Sequence, residues 1–445
     1  MKDYQGVADA VAEEIRSGVL RPGDRLPPQR EFARRHRIAN STATRVYREL
    51  ARRGLTVGEV GRGTFVRAES ETAAPALTEP TGSRVDLELN YPVVPEQAAL
   101  LAESLTGLLR PAALGAALGP VGAAGAPAVR AAGADLLARG DWRPDPEQVL
   151  FAGNGRQALS AVLAALVPPG GRLGVEELTY PVVKAIAARF GITLVPLAMD
   201  DDGLLPEAVE EAHRGGPLSA VYVQPTLHNP LSLTMPRPRR ERLAEVLLRL
   251  GVPAVEDTIW AFLRDEVSPL AALAPDLTVL VDSLSKRVAP GLSLGFVVAP
   301  AALAGDIGAS LRSGGWAPMR FALEAAYRWQ QDGTVKALVR AKQREAAVRQ
   351  EMAGRLLDGF AVRGDPRSYH CWWQLPRPWR ADTFVAAAAR HGIALAPAAA
   401  FTVGRGHAPN AVRLGLASPS TGVLAQALGT LAGLARSAPD TLVTD

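Results

Sequence analysis

The sequence predicts two bodies of different class. One is a small head of three helices closed by a β-hairpin, and the other is a large α/β body with a mostly parallel sheet and a smaller C-terminal α/β lobe. Three observations carry this. Residues 4–67 read as helix, helix, helix, hairpin; residues 68–84 are small, polar and proline-bearing; from about 85 to 300 short apolar strands alternate with helices. The expected boundaries are a head at 1–67, a linker at 68–84 and a body at 85–445. A chain of 445 residues is too long for one ordinary domain and long enough for a sizeable core.

Bulk properties narrow the function. No uncharged apolar run of about 18 residues suggests a membrane span, and the alanine-rich stretch at 111–134 is broken by Pro111, Pro120, Pro127 and Arg130. The N-terminus carries early acids and lacks the apolar core of a signal peptide. Cys371 is the only cysteine, so no intrachain disulfide can form, and a cytoplasmic protein is expected. Residues 1–70 hold 14 Lys+Arg against 9 Asp+Glu, or +5; since the whole chain is +4, the rest carries −1. A basic head on a near-neutral body suits a polyanionic partner.

In the head, Val7, Val11 and Ile15 repeat at helical spacing and Gly18 stops the first helix. Pro28 suits the first turn of the second helix. Asn40 or Ser41 can cap the third, whose Val46 and Leu50 face inward and which Gly54 closes. LTVGEVGRGTFVRA then reads as two short strands around a glycine-bearing turn. Two helices joined by a tight turn and followed by a β-wing suit the major groove of double-stranded DNA. The third helix opens with Asn40, Ser41, Thr42, Thr44 and Arg45, short donors at a helix N-terminus joined by Arg48 one turn on. Arg62, at the wing tip between glycines, with Gly63 and Thr64 behind it, can enter a groove.

In the body the strands are QVLFAG, RLGVEE, ITLVPL, SAVYVQP, AVEDTIW, LTVLVDS and LGFVVAP, with RQALSAVLAALV and VVKAIAARF as helices between them. FAGNGRQAL ends a strand and turns through Gly153-Asn154-Gly155 into a helix, an anion cradle. By itself it also fits the dinucleotide fingerprint, with Glu176 and Glu177 about twenty residues on. The later residues favour pyridoxal phosphate, which needs an amine, a carboxylate for its ring nitrogen, a donor to its ring oxygen, a flat group and a phosphate cradle. Lys286, among small residues after a strand, supplies the amine. Asp257 ends an apolar run where a buried carboxylate needs a cationic partner. Asn229 can donate to the ring oxygen and Tyr180 can stack on the ring. Gly155, Ser283 and Ser285 can reach phosphate. His370 beside Cys371 lacks the second ligand pair of a zinc site, so no metal is expected.

SGVLRPGDRLPPQREFARRHRI, TATRVYRELARRGL and GRGTFV, in that order, resemble the GntR type of winged helix-turn-helix. That resemblance makes Arg30, after the proline pair, a DNA contact; Ala39 and Asn40 depart from its usual Ser-Arg before the recognition helix. GNGRQAL, ELTYP, HNP, VED, SLSK-x-x-APGL-x-LG and VRLGLA resemble, in order, the fold type I aminotransferases, and the whole chain is similar to MocR-like regulators. The resemblance implies a pyridoxal phosphate lysine at Lys286, a ring-nitrogen acid at Asp257, a carboxylate-binding arginine at Arg413 and a homodimer through the body. It also implies a small amine or amino acid effector. Three positions depart from the pattern. Ser293 replaces a phosphate-gripping arginine, Trp260 stands in the cofactor site where a tyrosine is usual, and no tyrosine lies between Tyr91 and Tyr180. A lost charged hydrogen bond costs roughly 10–100-fold in affinity, so Arg156 or Arg287 is expected to replace the missing charge. The alternatives are a working aminotransferase with an accessory DNA-binding head, a regulator whose pocket takes another ligand, and a nicotinamide enzyme.

Overall fold

The computed structural model describes residues 4–16, 19–20, 24, 26–52, 55–59, 63–66, 85–404 and 408–437. Gly18, Gly54, Arg62 and the expected linker lie outside the described residues. Two compact units divide the chain at Ala74 and Pro75.

In the first unit, α1 (Tyr4–Arg16), α2 (Gln29–His36) and α3 (Asn40–Arg52) precede β1 (Thr56–Glu59) and β2 (Gly63–Val66). Four-residue spacing puts Val7 with Val11, and Val46 with Leu50, on inward faces, and all four are 5% exposed or less. Phe32 and Val66 complete this core. Pro28 stands just before α2 rather than inside its first turn. The N–H of Ala43 bonds the Ala39 carbonyl at 3.0 Å, so Ala39 holds the cap position expected for Asn40 or Ser41 and offers no side-chain oxygen there. β1 and β2 pair antiparallel from Thr56↔Val66 to Glu59↔Gly63.

The second unit is built on a seven-stranded sheet. In chain order its strands are β3 (Val149–Ala152), β4 (Arg172–Glu176), β5 (Thr193–Leu197), β6 (Ala220–Val223), β7 (Ala254–Asp257), β8 (Thr278–Ser283) and β9 (Gly295–Val298). They lie side by side as β3-β9-β8-β7-β6-β4-β5. Only β9 runs against its neighbours β8 and β3, while the other pairings are parallel. Every residue of β3, β6, β7, β8 and β9 is buried, the pattern of a sheet covered on both faces. Helices α4 (Gly155–Leu166), α5 (Pro181–Phe190) and α6 (Leu284–Arg287) follow β3, β4 and β8. The residues after the parallel strands therefore gather at one edge, where open α/β sheets bind ligands.

The C-terminal lobe begins with the long helix α7 (Thr334–Leu356) and holds β10 (Ala361–Arg363), β11 (His370–Gln374), β12 (Ala396–Pro397) and β13 (Ala411–Gly415). These form an antiparallel sheet in the order β10-β11-β13-β12. Trp373, Leu414 and Leu428 lie in its apolar core. The short strand Val85–Asp86 pairs with Ile393–Ala394, so the first described residues of this unit join the small lobe. Among the described residues no helix is long and apolar enough to cross a membrane.

Candidate cofactor and effector site

A cavity of about 310 Å³ opens at the C-terminal ends of β3, β4, β7 and β8. Lys286, Asp257, Asn229, Tyr180, Gly155, Arg156, Ser283, Ser285, Trp260 and Arg413 all line it. These residues span 259 positions of sequence; the large sheet's crossovers bring most of them together, and the small lobe adds Arg413. Arg287 is the exception. It is buried and its guanidinium pairs with Asp282 at 2.6 Å, so it is not among the lining residues. Glu176, the acid a dinucleotide site would use, is also outside the lining. It is buried against the Gln224 N–H at 3.1 Å and His228 Nε2 at 3.3 Å.

Asp257 closes β7. Its Oδ2 accepts from the Tyr222 hydroxyl at 2.7 Å and Gln224 Nε2 at 3.0 Å, and its Oδ1 accepts from the Ile259 N–H at 3.0 Å. Burial pushes its carboxyl up to about 6 despite these three donors. No cationic side chain is paired with it among the described ion pairs. Tyr222 and Gln224 were missed from the sequence. They stand two residues apart at the end of β6, so period-2 alternation puts them on one face.

Lys286 sits in the single turn of α6. Its Nζ donates to the Asn90 carbonyl at 2.6 Å and lies 4.1 Å from the Tyr91 ring centroid and 5.1 Å from that of Trp260. Burial, then the charges of Arg413, Arg156 and Lys342, hold its amine well below the ordinary lysine range. The shift makes the amine easier to deprotonate, and hence more nucleophilic, than an ordinary lysine. The backbone under it is clamped by a second lysine that sequence reasoning missed. Lys342 of α7 is fully buried and donates to the carbonyls of Lys286 at 2.9 Å and Val288 at 2.7 Å.

At the cradle, Asn154 caps α4 by accepting from the Gln157 N–H at 3.0 Å. A Cβ on Gly155 would stand 3.0 Å from Ser283 Oγ, so a side chain there would crowd the pocket wall. Ser283 Oγ accepts from the Ser285 N–H at 3.1 Å, and the Ser285 hydroxyl pairs with that of Ser293 at 2.6 Å. Ser293 thus brings a hydroxyl but no charge. Arg156, on the first turn of α4, is the cation of this end of the cavity.

Arg413 projects from β13 and is 7% exposed. It donates to the Glu88 carbonyl and, at 3.4 Å, to Asn229 Oδ1; its Nε has no partner. Burial lowers it to about 10. A buried guanidinium served only by neutral oxygens is suited to an incoming carboxylate. His370 and Cys371 are both buried. Burial takes the imidazole down to about 3 and the thiol up to about 12, and no group of described residues could hold a metal ion.

In the head, Arg30, Asn40, Ser41, Arg45 and Arg48 are exposed, while Thr42, Thr44 and Thr64 are half-buried. Thr44 Oγ1 donates to Gln29 Oε1 at 2.9 Å, which ties α3 to the start of α2. The Arg45 guanidinium lies 4.2 Å over the Tyr4 ring. Gly63 opens β2, and the Thr64 carbonyl accepts from Leu26.

A basic head of three helices and a hairpin, and a body with a lysine on a cavity at the C-terminal edge of a mostly parallel sheet, define a class: proteins with a GntR-type DNA-binding head and an aminotransferase-like domain. Residues 114–431 match aminotransferase class I and II, and residues 3–66 match the bacterial regulatory proteins of the gntR family. The chain belongs to the class I and II aminotransferase family, in the MocR-like form that carries a GntR-type head. It is similar to the HTH-type transcriptional regulator YdeF of Bacillus subtilis, 28% identical over 94% of this chain and 91% of that one. The pyridoxine biosynthesis transcriptional regulator PdxR of Corynebacterium glutamicum is 27% identical over 66% of this chain and 65% of its own. The vitamin B6 salvage pathway transcriptional repressor PtsJ of Salmonella typhimurium is 26% identical over 70% of this chain and 71% of its own. Among solved structures, the α-aminoadipate aminotransferase LysN of Thermus thermophilus superposes with a TM-score of 0.70 at 24% identity, covering 81% of this chain and 93% of that chain. This likeness shows the fold.

Proposed function

We propose that this protein is a transcriptional regulator whose head binds double-stranded operator DNA and whose body holds pyridoxal phosphate and senses an amino acid or amine. One observation carries the reading. Lys286, Asp257 and Arg413 face a single cavity; Asp257 and Arg413 are buried, Lys286 is half-buried, and none of the three has an opposite charge paired to it among the described residues. Such groups destabilise a fold unless a ligand completes them. The names of the vitamin B6 relatives support the same chemistry.

When bound, the cofactor supplies an aldehyde and an electron-withdrawing cationic ring. The chain's own groups then have separate tasks. Asp257, oriented by Tyr222 and Gln224, holds the proton on the ring nitrogen. Lys286 offers the amine, and Tyr180 and Asn229 orient the ring. Gly155, Ser283, Ser285 and Arg156 receive the phosphate at the α4 N-terminus. Arg413 receives a carboxylate.

Solvent-exposed Leu109, Leu118 and Met319, 62%, 81% and 75% exposed, support a homodimer through the body. Two heads would then read a two-site operator, in the cytoplasm. The test is an absorbance spectrum with added pyridoxal phosphate, comparing the natural chain with Lys286→Ala. A band near the visible edge that needs Lys286 is the expected result, and its absence from both chains overturns cofactor binding. Multiple turnover with a keto acid would make the protein an enzyme instead.

A further inference from the structure

The segment Glu88–Tyr91 lies across the site, a few residues after the chain leaves the linker. Its carbonyls are the resting partners of the two nitrogen groups a ligand would claim: Glu88 O accepts from Arg413, and Asn90 O accepts from Lys286 at 2.6 Å. The rest of the segment is held by Asp86, whose Oδ1 accepts from the Glu88 and Leu89 N–H groups at 2.9 and 2.7 Å, and by β13 and the loop after it, where Ser418 Oγ accepts from the Tyr91 N–H at 3.1 Å. Gly415 N–H donates to Leu87 O at 2.7 Å, Ala417 N–H to Asn90 Oδ1 at 3.1 Å, and the Ser418 hydroxyl to Leu89 O at 2.8 Å. Ala417 fixes the orientation of the Asn90 amide, and Asn90 Nδ2 is left buried without a partner. An orphaned donor marks an arrangement that another state improves.

We propose that Glu88–Tyr91 is a strap whose linker-side end is released when an amino acid's carboxylate takes Arg413 from Glu88 O, so that the regulator responds to amino acids and not to amines lacking a carboxylate. This rests on the proposed function. The two anchors answer to different parts of the ligand. Were Lys286 to bond the cofactor's aldehyde carbon, with loss of one water, its nitrogen would keep at most one hydrogen and would hold Asn90 O less tightly. An amine that displaced it there would return Lys286 as a free amine, and Asn90 O would regain its donor. The Glu88 anchor is indifferent to that exchange and yields only to an anion. It is also the anchor nearer residue 84, where the chain runs back to the head. A ligand shifts an equilibrium only through differential contacts, and the carboxylate makes one.

The test uses the full chain loaded with pyridoxal phosphate. Each of the twenty amino acids and the amine formed by its decarboxylation is screened by absorbance, and pairs in which both alter the spectrum go forward. Hydrogen exchange is then followed in peptides covering 85–91, with operator affinity measured on a DNA fragment selected by the wild-type protein. The amino acid is expected to speed exchange about 10–100-fold, the loss of one charged hydrogen bond, and to change operator affinity, while its amine does neither. A second variant moves the strap without touching Lys286 or Arg413. A Cβ on Gly415 would stand 3.0 Å from both Leu87 O and Leu89 O, so Gly415→Ala is expected to keep the cofactor band and bind the operator as the amino-acid-loaded protein does. Spectral change without faster exchange in 85–91, or equal responses to amine and amino acid, overturns the strap while leaving cofactor binding intact. No spectral response to any amino acid overturns it too. No cofactor band at all overturns both readings.

Discussion

Replacing Asp257 with Asn gives a prediction in which stability and binding move in opposite directions. Burial raises this carboxyl from 3.8 to about 6. The folded pKa is therefore the higher one. Between those pH values the folded chain binds more protons than the unfolded chain, and stability falls as pH rises through that window. Above about pH 6 the group is ionised in both states and the cost is constant. At 1.36 kcal/mol per unit, the shift amounts to roughly 3 kcal/mol against the empty fold. Asparagine removes the charge. It keeps one carbonyl oxygen for Tyr222 and Gln224, but it turns an amide toward the Ile259 N–H and loses that bond, about 1 kcal/mol. The net expectation is that Asp257→Asn stabilises the empty protein by about 2 kcal/mol at pH 7.5, with the advantage gone near pH 4, where both side chains are neutral.

The cofactor reverses the sign. A protonated ring nitrogen provides the cation that Asp257 lacks, so wild type should gain thermal stability on adding pyridoxal phosphate and bind it more weakly as pH falls through about 6. The Asn variant should lose 10–100-fold in cofactor affinity. Urea or thermal unfolding at pH 4 and pH 7.5, with and without cofactor, measures all of this. An Asn variant less stable than wild type at pH 7.5, or one that keeps its cofactor affinity, would falsify the assignment of Asp257 as a carboxylate waiting for a cation.

Other outcomes follow from the same geometry. Lys286→Ala should lose the visible-edge band and leave the fold's Tm within a few degrees, read by absorbance and calorimetry. Arg156→Ala should weaken pyridoxal phosphate about 10–100-fold with little change in Tm. Arg287→Ala should do the reverse: it strands the buried Asp282, at a cost of about 3–5 kcal/mol, and spares the cofactor affinity of the folded protein. If the two arginines exchange these effects, the phosphate assignment is wrong. In the head, replacing the exposed Arg48 by Ala should weaken DNA binding alike across sequences and lower the log–log salt slope by about 1, measured by anisotropy titration. An unchanged slope would mean that Arg48 touches no phosphate.

Much of this was legible in the chain itself. Local rules suffice for Val46 and Leu50 on one face of α3, for the apolar runs of the sheet, and for a glycine turn opening α4. An ordered set of short motifs singled out Lys286, Asp257, Asn229, Tyr180 and Arg413; the first four end or follow strands of the large sheet, while Arg413 lies within β13 of the small lobe. Tertiary structure decided which charges are free. Arg156 and Arg287 were equivalent on paper. Packing buries Asp282 against Arg287, so that cation is already neutralised, while Arg156 remains on the cavity. It also decided what holds the reactive groups. Asn90 lies 196 residues from Lys286, and Glu88 lies 325 from Arg413. Sequence periodicity reaches only along one helix or strand. Contacts at such separations are fixed by the spatial order of the strands and by the small lobe packing on residues 85–91.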